Sequence, residues 1–266
     1  MHAMKSWLLM LVLWSSTVSA QIFISPFNNP TRRAEKKQRV DAMIKMEEEG
    51  GVRYKRHLVS GGKLTNDGYG AFVEHARFQN AKWGWLFQLD IAERKHIKEE
   101  KLQNDYSPTA PVIYGKINFF YPLKLGVQRS MLLGNKGNRN GVSISGNIGG
   151  GISLGLMRPY LVEVEKNNGE FAFVGFNSPD SGYFRNGPII GGPTLSDGWN
   201  QLNIKPGLFV KSAVRFDYGK YNEMVNGLEI GAYAELYASR IQQMIDIRTH
   251  QFFLGAYVGV VLGRRK

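Results

Sequence analysis

Phe252-Phe253-Leu254-Gly255-Ala256-Tyr257-Val258-Gly259-Val260-Val261-Leu262-Gly263 decides the fold, because its side chains divide into two unlike rows. Phe252, Leu254, Ala256, Val258, Val260 and Leu262 make an apolar row, and Phe253, Gly255, Tyr257, Gly259 and Gly263 stand on the other. Period two belongs to a strand and excludes an amphipathic helix. Residues 228–238 repeat the pattern, setting Leu228, Ile230, Ala232, Ala234, Leu236 and Ala238 against Glu229, Gly231, Tyr233, Glu235 and Tyr237. Residues 204–218 do so again, with Ile204, Leu208, Val210, Val214, Phe216 and Tyr218 opposed to Lys205, Lys211, Arg215 and Asp217. Each segment is long enough to cross a bilayer as a tilted strand. In a soluble sandwich the apolar rows face inward, whereas in a membrane barrel they face lipid and the charged rows fill the lumen.

Working outward, five more segments alternate. Residues 141–165 place Val142, Ile144, Ile148, Ile152, Leu154, Leu156, Tyr160, Val162 and Val164 on even numbers, and Ser143, Ser145, Asn147, Gly149, Gly151, Ser153 and Gly155 on odd ones. Such a glycine and serine face suits a crowded lumen better than a soluble core. Residues 112–131 set Ile117, Phe119, Tyr121, Leu123, Leu125 and Val127 against Lys116, Asn118, Lys124, Gly126 and Gln128, with a bulge or break expected at Pro122. Residues 82–92 carry Trp83, Trp85, Phe87, Leu89 and Ile91 on one side, a lipid-type face. Residues 68–78 and a short, basic 52–59 complete eight strands. The long links, 93–111 and 167–202, fall at one end together with 60–67 and 243–248, and the shorter 79–81, 132–140 and 220–227 fall at the other. A bacterial barrel has long loops outside and short turns inside.

Composition narrows the setting. The chain has 266 residues and no cysteine, so disulfides, thiol catalysis and cysteine metal sites are excluded. Lys5, the apolar run Trp7 to Trp14 and the small-x-small Val18-Ser19-Ala20 read as a signal peptide over residues 1–20, cut before Gln21. Its removal brings the formal charge from +12 to +11. In an exported protein that excess points to anionic envelope partners, outer-membrane lipid and lipopolysaccharide among them, and not to nucleic acid. Residues 21–50 read as a periplasmic leader and a basic helix over 31–49, with Arg32, Arg33, Lys36, Lys37 and Arg39 near its start. Residues 51–266 are the barrel. The predicted class is all-β: an antiparallel eight-stranded transmembrane β-barrel with a short N-terminal basic helical segment.

The stretch Phe252 to Lys266, with its glycine and aromatic alternation and basic end, resembles the terminal strand of small outer-membrane β-barrel proteins of Bacteroidota. Tyr114-Gly115-Lys116-Ile117-Asn118-Phe119-Phe120-Tyr121 and the run from Asn140 to Leu156 are similar to an uncharacterised group of that kind. The resemblance implies an outer-membrane location and a barrel, and no activity. Arg264, Arg265 and Lys266 depart from the familiar ending in an aromatic residue.

An eight-stranded barrel is only wide enough to be filled by its own side chains. Glu74, Asp90, Lys116, Lys124, Lys211, Arg215, Asp217, Glu229 and Glu235 are therefore expected to pair in one lumen network. The histidines have neither a catalytic motif nor metal spacing, and no cofactor or metal is called for. The expected role is an accessory or structural subunit docking with a larger envelope assembly. Its contact points would be the basic helix, Arg158 at the outer leaflet, and Phe171, Phe173, Phe176 and Tyr183 in the longest loop. A narrow pore and a lipid-modifying enzyme are the alternatives.

Overall fold

The alternation closes on itself. In a computed structural model the described residues are 55–80, 82–102, 111–136, 141–167, 169–219, 224–245 and 247–266, with Ala34, Glu35, Lys37 and Gln38. The leading segment, with Arg32, Arg33, Lys36 and Arg39, lies outside them, as does the expected signal peptide. Lys37 is helical and exposed.

The strands are β1 (Arg56–Thr65), β2 (Gly68–Phe78), β3 (Trp83–Arg94), β4 (Lys101–Leu102), β5 (Val112–Ile113), β6 (Asn118–Gly134), β7 (Ser143–Pro159), β8 (Leu161–Glu165), β9 (Phe171–Gly175), β10 (Ile189–Gly191), β11 (Asn203–Asp217), β12 (Met224–Ile241) and β13 (His250–Arg265). Eight of them form a closed antiparallel barrel in the order β1-β13-β12-β11-β7-β6-β3-β2. The first and last strands meet from His57↔Arg265 to Thr65↔Tyr257, which removes both free edges.

The even and odd rows now have addresses. Val258, Val210, Leu208, Ile230, Leu89 and Ile152 are each about half exposed or more on the outer wall. Glu74, Gln88, Lys124, Ser153, Arg215 and Glu229 are buried inside. A soluble monomer does not leave an apolar belt of this extent in water. A barrel in lipid must, since its outer wall meets hydrocarbon and closure lets its strands pair their backbone groups with one another.

Three expectations need correction. The first strand does not end at Val59 but runs to Thr65, and only Asn66-Asp67 joins it to β2. The barrel part of the long 141–165 run ends at Pro159, and β8 leaves the wall to pair with β9 and β10 in a separate three-stranded sheet. Ile117 is buried and not in the lipid-facing row. At Pro122 the expected disturbance takes the form of a break and not a bulge. The β3 ladder lapses between Ile91↔Leu123 and Arg94↔Phe120, opposite the missing N–H, and resumes in the same register.

Val258→Arg places a charge on the outer row in mid-strand. It is expected to cost about 2 to 4 kcal/mol at the bilayer midplane, read as urea unfolding of the barrel from vesicles. A variant as stable as the parent would show that this row does not meet lipid.

Candidate functional site

Two regions concentrate chemistry: the lumen and the long-loop end. The lumen begins with register. Arg215 and Glu229 are direct cross-strand partners on β11 and β12, so their side chains point inward side by side. The Arg215 guanidinium reaches Glu229 at 2.5 Å and crosses to Glu74 on β2 at 2.7 Å. His57 donates to Glu74 at 2.9 Å, on the oxygen that also accepts from Arg215, and Lys211 and the Tyr257 hydroxyl donate to Glu229 at 2.9 and 2.6 Å. Lys63 pairs with Asp90, while Gln88 joins that pair to Lys211 at 3.1 Å.

Higher in the barrel Glu235 takes Lys124, Arg94 at 3.1 Å and the Tyr237 hydroxyl at 2.8 Å. Arg94 then reaches Asp67 in the β1–β2 turn at 2.5 Å and lies over the rings of Phe253, Tyr233 and Phe120 at 4.7, 5.5 and 5.6 Å. At the short-turn end Asp217 binds Arg265 at 2.5 Å and accepts from the Gly219 N–H. The cations Lys63, Arg94, Lys124, Lys211 and Arg215 are thus balanced by Glu74, Asp90, Glu229, Glu235 and Asp67. Large rings fit between them where the neighbouring strand carries a glycine, as Gly231 does directly across from Tyr257. A Cβ on Gly231 would sit 2.6 Å from the Tyr257 ring.

Two of the residues expected in the lumen or at the lipid surface lie elsewhere. Lys116 is in the loop before β6, where its ammonium donates to Glu99 at 2.6 Å and covers the Phe119 ring at 4.3 Å. Burial pushes it below the ordinary lysine range, against the pull of Glu99. Arg158 is buried instead of facing the outer leaflet. Its guanidinium donates to the carbonyls of Leu195 and Asp197 at 2.8 and 3.1 Å and lies 4.2 Å from the Phe119 ring and 5.2 Å from Trp199. It pins the loop that follows β10, and its buried guanidinium is not presented to lipopolysaccharide.

The long-loop end carries a cap. β8, β9 and β10 form its sheet, a short helix Ser181–Asn186 lies on it, and Tyr160, Val162, Val164, Val174, Phe184 and Ile113 are its core. The Tyr160 hydroxyl accepts from the Ile113 N–H at 2.8 Å, tying the β5 loop to this core. Phe176 and Tyr183 pack against that core, whereas Phe171 and Phe173 on β9 are exposed. Under the cap opens a cleft of about 370 Å³. It is lined by Phe173, Phe176, Asn118, Asn177, Gln201, Asn203, Gln242, Lys205 and Arg240, with no carboxylate among its lining residues. Amides that both donate and accept, two cations and an aromatic face suit a polar partner rich in acceptors.

Several of these residues escaped sequence reading. Lys63 falls in a stretch expected to be a loop, and Ser60 and Gly62 blur the outward row there. Arg94 could have been found by extending the row Leu86, Gln88, Asp90 two steps further. Lys205 and Arg240 have no local signal, since the cleft is made by chain segments far apart in sequence.

Together, lumen and belt define a small eight-stranded β-barrel of the outer-membrane type, with a filled interior and a structured cap at its long-loop end. No protein-family model matches the chain, and no curated protein does. Among solved structures it is similar to Neisserial surface protein A (NspA), with 8% identity, a TM-score of 0.35, and coverage of 79% of this chain and 96% of that one. It is also similar to Ail, the attachment invasion locus protein of Yersinia pestis, solved with the heparin analogue sucrose octasulfate. There the identity is 10% and the TM-score 0.36, over 80% of this chain and 99% of that one. The barrel assignment stands on the closed β1–β13 ladder and the apolar belt.

Lys63→Met should strand Asp90 and destabilise the barrel by about 3 to 5 kcal/mol, whereas Lys63→Met with Asp90→Leu should recover most of that loss. Urea titrations of the single and double variants in micelles measure this, and purely additive losses would mean the pair is not coupled. In the cap, Asp197 accepts from the Thr194 hydroxyl and N–H at 2.8 and 2.7 Å, which holds its carboxyl below the ordinary carboxylate range. A depressed carboxylate stabilises in its ionised form, so this contribution is complete at neutral pH and is lost as pH falls through the lowered value. Exchange protection of the Thr194 amide should therefore drop only in acid, and Asp197→Asn should abolish that pH step.

Proposed function

We propose that this chain is an outer-membrane protein of a Gram-negative bacterium of the Bacteroidota kind, acting as an accessory or structural subunit of a larger envelope assembly. One observation carries the reading: the lumen is occupied by a charge-balanced network, while the cap offers a polar cleft and the exposed rings of Phe171 and Phe173. A barrel whose interior is spent on its own stability meets other molecules through its ends and its wall. The wall meets outer-membrane lipid, and lipopolysaccharide surrounds its outer half. The cap is then the docking surface, with Phe173, Lys205 and Arg240 as its centre. The basic residues Arg32, Arg33, Lys36, Lys37 and Arg39 form a second docking segment on this reading, where long basic side chains reach anionic groups.

The test begins with folding, since a closed barrel migrates differently in unboiled and boiled gels. Phe171→Ser with Phe173→Ser, and Lys205→Glu with Arg240→Glu, should keep that shift and reduce the companions recovered in mild detergent. Charge reversal at the five N-terminal positions should do the same. If all three variants retain the companions of the parent in the same amounts, the docking role fails. Steady, ion-selective conductance through the purified monomer would overturn it in favour of a pore.

A further inference from the structure

The short-turn end of the outer wall carries cations where a lipid-facing surface has no internal use for them. Arg56 on β1 is the direct cross-strand partner of Arg77 on β2, Arg77 is that of Trp85 on β3, and Trp85 is that of Arg129 on β6. Two arginines directly opposite one another repel, and such pairs destabilise a sheet. Arg56 and Arg77 are both exposed, and among the described residues neither forms an ion pair. With Lys55, Phe78 and Gln79 they line a hollow of about 340 Å³ that has no acidic side chain among its lining residues. Arg129 stands beside it over Trp83 and Trp85, at 4.9 and 5.0 Å. The opposite wall is different: Ile144, Val214, Phe216 and Leu228 face outward there, with no cation among them.

A second feature lies on the same strands. Ser60 and Gly62 on β1 and Ala71 on β2 are small residues on the lipid-facing row, and they hollow the wall into an apolar groove of about 600 Å³. Val260 and Leu262 bound it on one side, and Leu89 and Ile91 on the other. From Arg56 to Ser60 is four strand residues, about 13 Å. Gly62 and Ala71, at the far end of the groove, lie six residues from Arg56 and Arg77, about 20 Å along the strand, which at a tilt of about 45° is about 14 Å of depth, within half a bilayer's hydrocarbon thickness of about 15 Å. Cations at a membrane interface followed by an apolar trough match the two parts of one lipid: a phosphate and an acyl chain.

We infer that β13, β1, β2 and β3 form a binding site for one anionic phospholipid of the inner, periplasmic leaflet. Its phosphate lies between Arg56 and Arg77, with Lys55 beside it, and relieves their repulsion. One acyl chain lies in the Ser60–Gly62–Ala71 groove. Trp83 and Trp85 hold the interface level, as aromatic residues do at membrane boundaries. This rests on the membrane-spanning reading of the barrel and is independent of the docking role of the cap.

The experiment is native mass spectrometry of the full-length folded barrel, offered phosphatidylglycerol, phosphatidylcholine or lipopolysaccharide in equal amounts. The parent should retain one phosphatidylglycerol in preference to phosphatidylcholine. Arg56→Gln with Arg77→Gln should lower that retention about thirtyfold, from two interfacial charges. Gly62→Leu with Ala71→Leu, which fills the groove and leaves the charges, should lower retention of both phospholipids. Lys98→Gln, in a loop at the other end, should change nothing. Equal retention of the two phospholipids by the parent, or phosphatidylglycerol retention unaltered by the arginine double variant, overturns the site. Arginine-dependent retention of lipopolysaccharide alone overturns its inner-leaflet placement. A chain that shows no heat-modifiable migration and no insertion into vesicles fails at the earlier, membrane-spanning step, which the same gels record separately.

Discussion

The Arg215 guanidinium, held between Glu74 and Glu229 in a space that admits little water, is the contact on which the rest of the barrel depends. It joins neighbours, because Glu229 is its cross-strand partner, and it joins opposite walls, because Glu74 comes from a strand 141 residues away in sequence. In a low-dielectric interior an unpaired ion costs several kcal/mol, so register and charge are one constraint. A slip of one residue in β11 would turn Arg215 and Lys211 into lipid and bring Val214 and Val210 inside. The ionic network therefore specifies the alignment that the apolar belt requires.

The mouth of the barrel applies the same physics with rings added. Arg94 is flanked by Glu235 and Asp67 in its charge contacts and by Phe253, Phe120 and Tyr233 on its faces. A guanidinium is weakly hydrated and planar, so it can satisfy carboxylates at its edge and stack at its face, which an ammonium cannot do as well. Arg158 uses the same property outside the barrel, where it fastens a loop with backbone carbonyls at its edge and Phe119 and Trp199 at its faces. These two arginines make the long-loop end a built structure.

Period two made the eight strands and their two faces legible, because the alternation of Trp83 to Ile91 or Leu228 to Ala238 is a local property. What it could not show was where a strand stops belonging to the barrel. Tyr160, Val162 and Val164 continue the even row of β7 beyond Arg158, yet they form the core of the cap, since a buried cap strand and a lipid-facing strand ask for the same residues. The fates of Arg158 and Lys116 were illegible for a related reason: their partners, Leu195 and Glu99, come from loops that alternation does not describe. β1 was undercounted because Ser60 and Gly62 leave its outward row without the large residues that mark a lipid face.

The balance of the lumen also locates the excess charge of the chain. Lys63, Arg94, Lys124, Lys211 and Arg215 are matched within the barrel, as are Lys116 by Glu99 and Arg265 by Asp217 at its two ends. A sequence with a formal charge of +12 must then carry that excess outside the paired interior. Arg158 puts one such charge to structural use, whereas exposed like charges such as Arg56 and Arg77 add nothing to the stability of a strand pair and subtract a little. The positive charge of this chain is therefore directed to its surroundings, while the paired charges inside serve the fold.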